Sequence, residues 1–121
     1  MTKQASFNLN GSRHTVSLTE KAKDFQAISI KGTRWFQKSY GNTYHIAYIS
    51  ALIDGKWVHL GETSTQYGYG EHFLVTAAEW LIENGYMTCT SGTGYSLSNY
   101  NVCEAFGVDC VAQDVNRKRD L

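Results

Sequence analysis

No proline occurs in the chain, so its turns fall to eleven glycines and to Asn, Asp and Ser, residues that reach left-handed backbone or bond their own main chain. Net charge is absent too. Eleven Lys plus Arg balance eleven Asp plus Glu, which argues against capture of nucleic acid by overall charge and against acidic mimicry of DNA. No apolar run approaches the roughly 20 residues that cross a bilayer, and the polar start MTKQASFNLN lacks the apolar centre of a secretion signal. The expectation is a cytosolic protein without membrane contact. The three cysteines, Cys89, Cys103 and Cys110, are odd in number and form no CxxC, so they suggest neither a disulfide framework nor a zinc site. What the chain does hold is apolar: 42% hydrophobic and 13% aromatic residues against 18% charged. That balance predicts a folded chain, and 121 residues suffice for one core but not for two ordinary domains.

Residues 1–26 are polar, with thinly spaced apolar positions, and read as an N-terminal arm or hairpin preceding one α+β domain over 27–121. Asn10-Gly11 stands between Phe7, Leu9 and Val16, Leu18, the pattern of a type I′ hairpin turn. Ser17-Leu18-Thr19-Glu20 has the spacing of a capping box before a short helix. From Ala27 onward β-formers dominate, with Ile28 and Ile30 in alternation and Arg34, Trp35 and Phe36 continuing the strand. The stretch Thr43 to Ile53 is apolar on both parities, as expected of a central strand. Asp54-Gly55 then predicts an antiparallel hairpin whose partners sum to 109. Residues 61–70, GETSTQYGYG, read as a loop.

Leu74, Ala77, Ala78, Leu81 and Ile82 recur at helical spacing, which predicts a main helix over about 71–84 stopped by Gly85. Ala77 and Ala78 let that helix lie close on a sheet. A glycine-rich loop over 88–96 should lead to a short second helix over about 99–106 and a last strand over 108–115. The expected fold is therefore α+β, an antiparallel sheet of about four strands with the main helix on one face.

Catalytic signatures are missing. His14, His45, His59 and His72 show no metal-ligand spacing, and no Ser or Cys stands in a nucleophile motif. The sequence thus predicts no metal, no cofactor and no enzyme, with a small hydrolase using His45 or His72 as the weakest alternative. Ser91-Gly92-Thr93-Gly94 lacks a neighbouring basic residue and is a weak phosphate cradle. Tyr67-Gly68-Tyr69-Gly70, just before the helix, allows two readings: aromatics sealing a core edge, or a ligand surface at a helix start. Arg117, Lys118 and Arg119, with Lys31, Arg34 and Lys38, could form a basic patch despite the zero total. Aromatics are the larger anomaly, since eight Tyr, five Phe and three Trp exceed what one small core readily buries. Tyr and Trp favour interfaces, so the candidate binding residues are Tyr44, Trp57, Tyr67, Tyr69, His72, Arg117, Lys118 and Arg119. A homodimer would also cover such surface.

Over residues 28–121, the stretch Arg34-Trp35-Phe36 through Tyr40-Gly41-Asn42-Thr43-Tyr44-His45, the Tyr67-Gly68-Tyr69-Gly70 loop and the tail Asp114 to Leu121 resemble a group of small bacteriophage and prophage accessory proteins. That group has no assigned catalytic or binding residues to transfer. The resemblance implies a context: a phage protein of the host cytoplasm, in a class where inhibitors of host defence are common. The leading expectation is a non-enzymatic protein that inhibits a host protein or ribonucleoprotein complex, such as an anti-CRISPR factor. The alternative is a nucleotide-binding module that grasps RNA or DNA or sequesters a small signalling nucleotide.

Overall fold

The computed structural model describes residues 4–9, 11–89 and 109–121. The first strands, β1 (Gln4–Leu9) and β2 (Ser12–Leu18), form the hairpin expected around Asn10-Gly11. Its outer partner is β7 (Met87–Cys89), giving a three-stranded sheet in the order β1-β2-β7. The strands β3 (Ala27–Gln37), β4 (Asn42–Ile53), β5 (Lys56–Glu62), β6 (Gln66–Tyr67) and β8 (Asp109–Val115) build a five-stranded sheet in the order β5-β4-β3-β8, with β6 also paired to β4. One α-helix, α1 (His72–Glu83), completes the α+β fold among the described residues.

Between β4 and β5 the backbone turns at Asp54 and Gly55, whose φ values of 52° and 75° are both positive, as a type I′ turn demands. Partners accordingly sum to 109 from Ile53/Lys56 to Ser50/His59. Leu60 then bulges out, and Gly61 takes the place opposite Ile49. That slip has a packing purpose. A Cβ on Gly61 would lie 2.3 Å from the Trp80 ring, so the bulge puts the one residue without a side chain beneath the helix tryptophan. Gly32 on β3 does the same for Phe73, again with 2.3 Å to a built Cβ.

Two rings seated on two glycines, together with the fully buried Ala77 and Ala78, bring α1 down onto the sheet. The core between them holds Ile28, Ile30, Ile49 and Leu81, each at most 1% exposed, and each burial contributes about 1.5–3 kcal/mol. Val16, Ala22, Phe25 and Met87 join the same cluster, so the N-terminal segment contributes to this core.

Helix α1 ends as its sequence predicts. Gly85 has a φ of 81°, its N–H bonds the Ile82 carbonyl, and the Tyr86 N–H reaches back to Leu81, which is a Schellman closure. The capping box at Ser17–Glu20 does not form. A short 3-10 turn does follow, at Glu20–Ala22, but Thr19 precedes it with no side-chain cap. The Thr19 hydroxyl instead donates to the Gly85 carbonyl, and Lys21 Nζ donates to Asn84 O at 2.7 Å while lying 4.2 Å from the centre of the Tyr86 ring. The helix's unsatisfied C-terminal carbonyls attract both groups more strongly than a marginal first turn does.

Two further expectations are corrected. The last strand pairs parallel to β3, from Ser29/Asp109 to Trp35/Val115, so the large sheet is mixed rather than antiparallel. The long return through α1 brings the chain back to the end of the sheet where β3 starts, which is what a parallel neighbour needs. Residues 61–70 are also not all loop: β5 runs through Glu62, and Gln66 and Tyr67 pair with β4. Thr88 and Cys89 belong to β7, while the rest of the loop read over 88–96 and the short helix read over 99–106 lie outside the described residues.

Candidate binding face

Strand pairing sorts the large sheet into two faces. Ile28, Ile30, Gly32 and Arg34 of β3 stand opposite Ala51, Ile49, Ala47 and His45 of β4, on the side where α1 packs. Ala27, Ser29, Lys31, Thr33, Trp35 and Gln37 stand opposite Leu52, Ser50, Tyr48, Ile46, Tyr44 and Asn42 on the other side. The one α-helix among the described residues, α1, lies on the first face. The apolar residues of the second face remain half-buried or exposed, with Trp57 at 53% and Val111 at 52%.

At one end of this face three rings from three adjacent strands come together. Trp35 and Tyr44 are stacked with centroids 5.9 Å apart and an interplanar angle of 27°. Tyr67 meets Tyr44 edge-on at 5.8 Å and 72°. Pairing of Tyr44 with Tyr67 through β6 makes this contact. Together with Gln37, Thr65 and Lys118, the rings line a concave pocket of about 350 Å³. Lys118 arrives there because β8 ends at Val115, beside Trp35, and the chain then makes a short 3-10 turn over Lys118–Asp120. Arg117 pairs within that turn, its Nε 3.0 Å from Asp120 Oδ2. Among the described residues no acidic side chain lines the pocket.

Of the residues singled out in the sequence, the structure brings Tyr44, Tyr67 and Lys118 to this pocket and adds Trp35, which its strand position made look like ordinary core. Trp57 shares the face but pairs with Leu52, eight positions along β4 from Tyr44 and so about 26 Å away. Arg119 is exposed and outside the pocket lining. Tyr69, 78% exposed, lines with Tyr67, His72 and Val75 a separate shallow hollow of about 510 Å³ at the start of α1. That helix start is poorly suited to an anion. The N–H groups of His72 and Leu74 already bond the Tyr69 and Glu71 carbonyls, and Glu71 occupies the cap position.

Arg34, read as one member of a basic patch, is engaged elsewhere. Its Nε lies 2.7 Å from Asp114 Oδ1 and its guanidinium donates at 2.8 Å to the Gly70 carbonyl. It therefore pins the Tyr-Gly-Tyr-Gly loop to β3 and β8.

His45 holds the same loop from beneath. At 1% exposure, its Nδ1 is 3.1 Å from the Gly68 carbonyl and its Nε2 is 2.7 Å from Thr76 Oγ1. A carbonyl only accepts, so Nδ1 carries the proton and Nε2 accepts from the threonine hydroxyl. Burial pushes the ring's pKa below its ordinary value of 6.5; the Gly68 carbonyl opposes that shift and nearby His72 reinforces it. The rings of His45 and His72 lie 5.4 Å apart, a juxtaposition with no trace in their spacing of 27 residues. Both ring nitrogens of His45 are committed, and Thr76 is buried as well, so this hydroxyl and base form a structural tie beneath the loop. Among the described residues no three His, Cys, Asp or Glu side chains gather as a metal site.

Among the described residues Thr33 carries a buried hydroxyl without a hydrogen-bond partner, on the face opposite α1 and two positions before Trp35. An orphan hydroxyl costs about 1–3 kcal/mol. Thr33→Val keeps the shape and removes the polar atom, and is expected to raise stability by about 1 kcal/mol in urea unfolding. A loss of stability would mean that the hydroxyl has a partner.

Compared with family profiles, curated proteins and solved structures, the chain matches none of them.

Proposed function

We propose that the chain is a non-enzymatic binding protein of bacteriophage origin that holds and inhibits a host macromolecule in the host cytoplasm, as anti-defence factors do. One observation carries the reading: Trp35, Tyr44 and Tyr67, from three neighbouring strands, line a concave pocket beside Lys118 on the sheet face opposite α1. Rigid rings with polar tips bind at low entropic cost and dominate interface energetics. The phage context comes from the resemblance of residues 28–121.

Production of the chain in bacteria that carry an RNA-guided defence system tests this reading. Plaque formation by a targeted phage should rise by orders of magnitude with the wild-type chain. It should return to baseline with Trp35→Ala/Tyr67→Ala and stay high with Tyr69→Ala, whose ring lies outside the pocket. A photo-crosslinking residue at position 67 should capture the host target. Equal protection by the pocket variant, with no crosslink at 67, would overturn the assignment.

A further inference from the structure

We infer that the occupant of the Trp35, Tyr44 and Tyr67 pocket is single-stranded nucleic acid, with bases against the rings and a phosphate against Lys118. The inference rests on the binding reading above and narrows its partner to one class. The lining itself makes the choice. Among the described residues it holds three flat rings, an amide, a hydroxyl and one ammonium, with no aliphatic side chain and no carboxylate. A nucleobase has a flat π-face and a polar edge, which match ring walls with Gln37 and Thr65 at their margin.

Rings on adjacent strands of an open sheet face also stand in a row, the arrangement that lets a sheet stack successive unpaired bases. In a duplex those faces are already stacked and paired, so a pocket of about 350 Å³ cannot receive them without extrusion. Charge agrees with the shape. Arg117 is neutralised by Asp120 and Arg34 by Asp114, whereas Lys118 has no ion pair among the described residues. Its described neighbours in the lining are all uncharged. With one cation in the described lining, affinity arises from stacking more than from phosphate contacts, and the zero net charge is no obstacle.

Fluorescence anisotropy with labelled 12-nucleotide single strands, one of RNA and one of DNA, and with the matching duplex tests the inference on the full chain. Single strands should bind and the duplex should not. Tyr67 is 62% exposed, so Tyr67→Ala leaves the fold intact and should weaken binding about 5- to 150-fold, the loss of one base stack. Tyr67→Phe keeps the ring and should retain binding. Lys118→Ala should make the slope of log affinity against log salt shallower by about 0.7. Equal binding of the duplex, or no effect of Tyr67→Ala, would overturn the inference. So would an absence of single-strand binding by a chain that still protects phage and crosslinks a host protein through position 67, and that outcome would leave the proposed function standing. Failure of both assays would remove both.

Discussion

Gly32→Ala is expected to destabilise the protein by about 3 kcal/mol, at the upper end of ordinary overpacking. Strand position alone implies the opposite, since a strand-interior glycine weakens its strand and Ala at a compatible site stabilises by about 0.4–1 kcal/mol. Phe73 reverses that sign: the added methyl would stand 2.3 Å from ring carbon Cγ, and both the strand below and the helix above are fixed. Phe73→Ala alone should cost about 3–5 kcal/mol through the void it leaves. In the double variant the new methyl enters vacated space, so the combined loss should fall short of the sum by at least about 1 kcal/mol. Urea midpoints at constant slope measure all three. Additive losses would show that the ring does not rest on this glycine.

Removal of the His45 ring should be nearly as costly. His45→Leu leaves the Gly68 carbonyl without its donor and turns the single Thr76 hydroxyl proton to the His72 carbonyl 3.3 Å away. A buried group left unpaired costs about 1–3 kcal/mol, and the weaker Thr76 bond adds to it, so a loss of about 2–3 kcal/mol is expected.

The wild type should carry a pH signature that the variant lacks. Burial lowers the folded ring's pKa, so between its ordinary value of 6.5 and the folded value the unfolded chain binds a proton that the native state refuses. The contribution of His45 to stability is therefore intact above pH 6.5, declines as the pH falls below it, and levels off once the folded ring is itself protonated. Urea midpoints between pH 8 and 5 should fall more steeply for the wild type than for His45→Leu. Parallel profiles would exclude a buried neutral histidine. Freed from His45, the Tyr-Gly-Tyr-Gly loop should also hold Tyr67 less firmly against Tyr44.

Features of the fold set by local backbone chemistry were legible in the sequence. Asp54-Gly55 specified its hairpin register, and Gly85 specified the helix end, because each depends on positive φ at a named residue. Features set by distant partners were not. Nothing near Leu60 announces a bulge that serves Trp80, and nothing near Thr19 says that its hydroxyl serves the far end of a helix 66 residues away. The candidate pocket divides in the same way. Tyr44 and Tyr67 stood out as surplus aromatics, but Trp35 did not, because alternation along one strand cannot tell a covered face from an open one. Strand β6 carries no local signal, because two residues before a glycine look like any loop, yet it is what brings Tyr67 beside Tyr44.

The parallel pairing of β3 with β8 has a consequence during translation. Ser29 waits for Asp109, a partner 80 residues later, which at ribosomal rates of about 5–20 residues per second is a delay of about 4–16 s. Through that interval the β3-β4-β5 meander can assemble while one side of β3 keeps its ladder bonds open. A nascent chain paused before β8 is thus a template for illicit strand addition by a neighbouring polypeptide, and slow codons upstream of residue 109 should raise the insoluble fraction without changing a single amino acid.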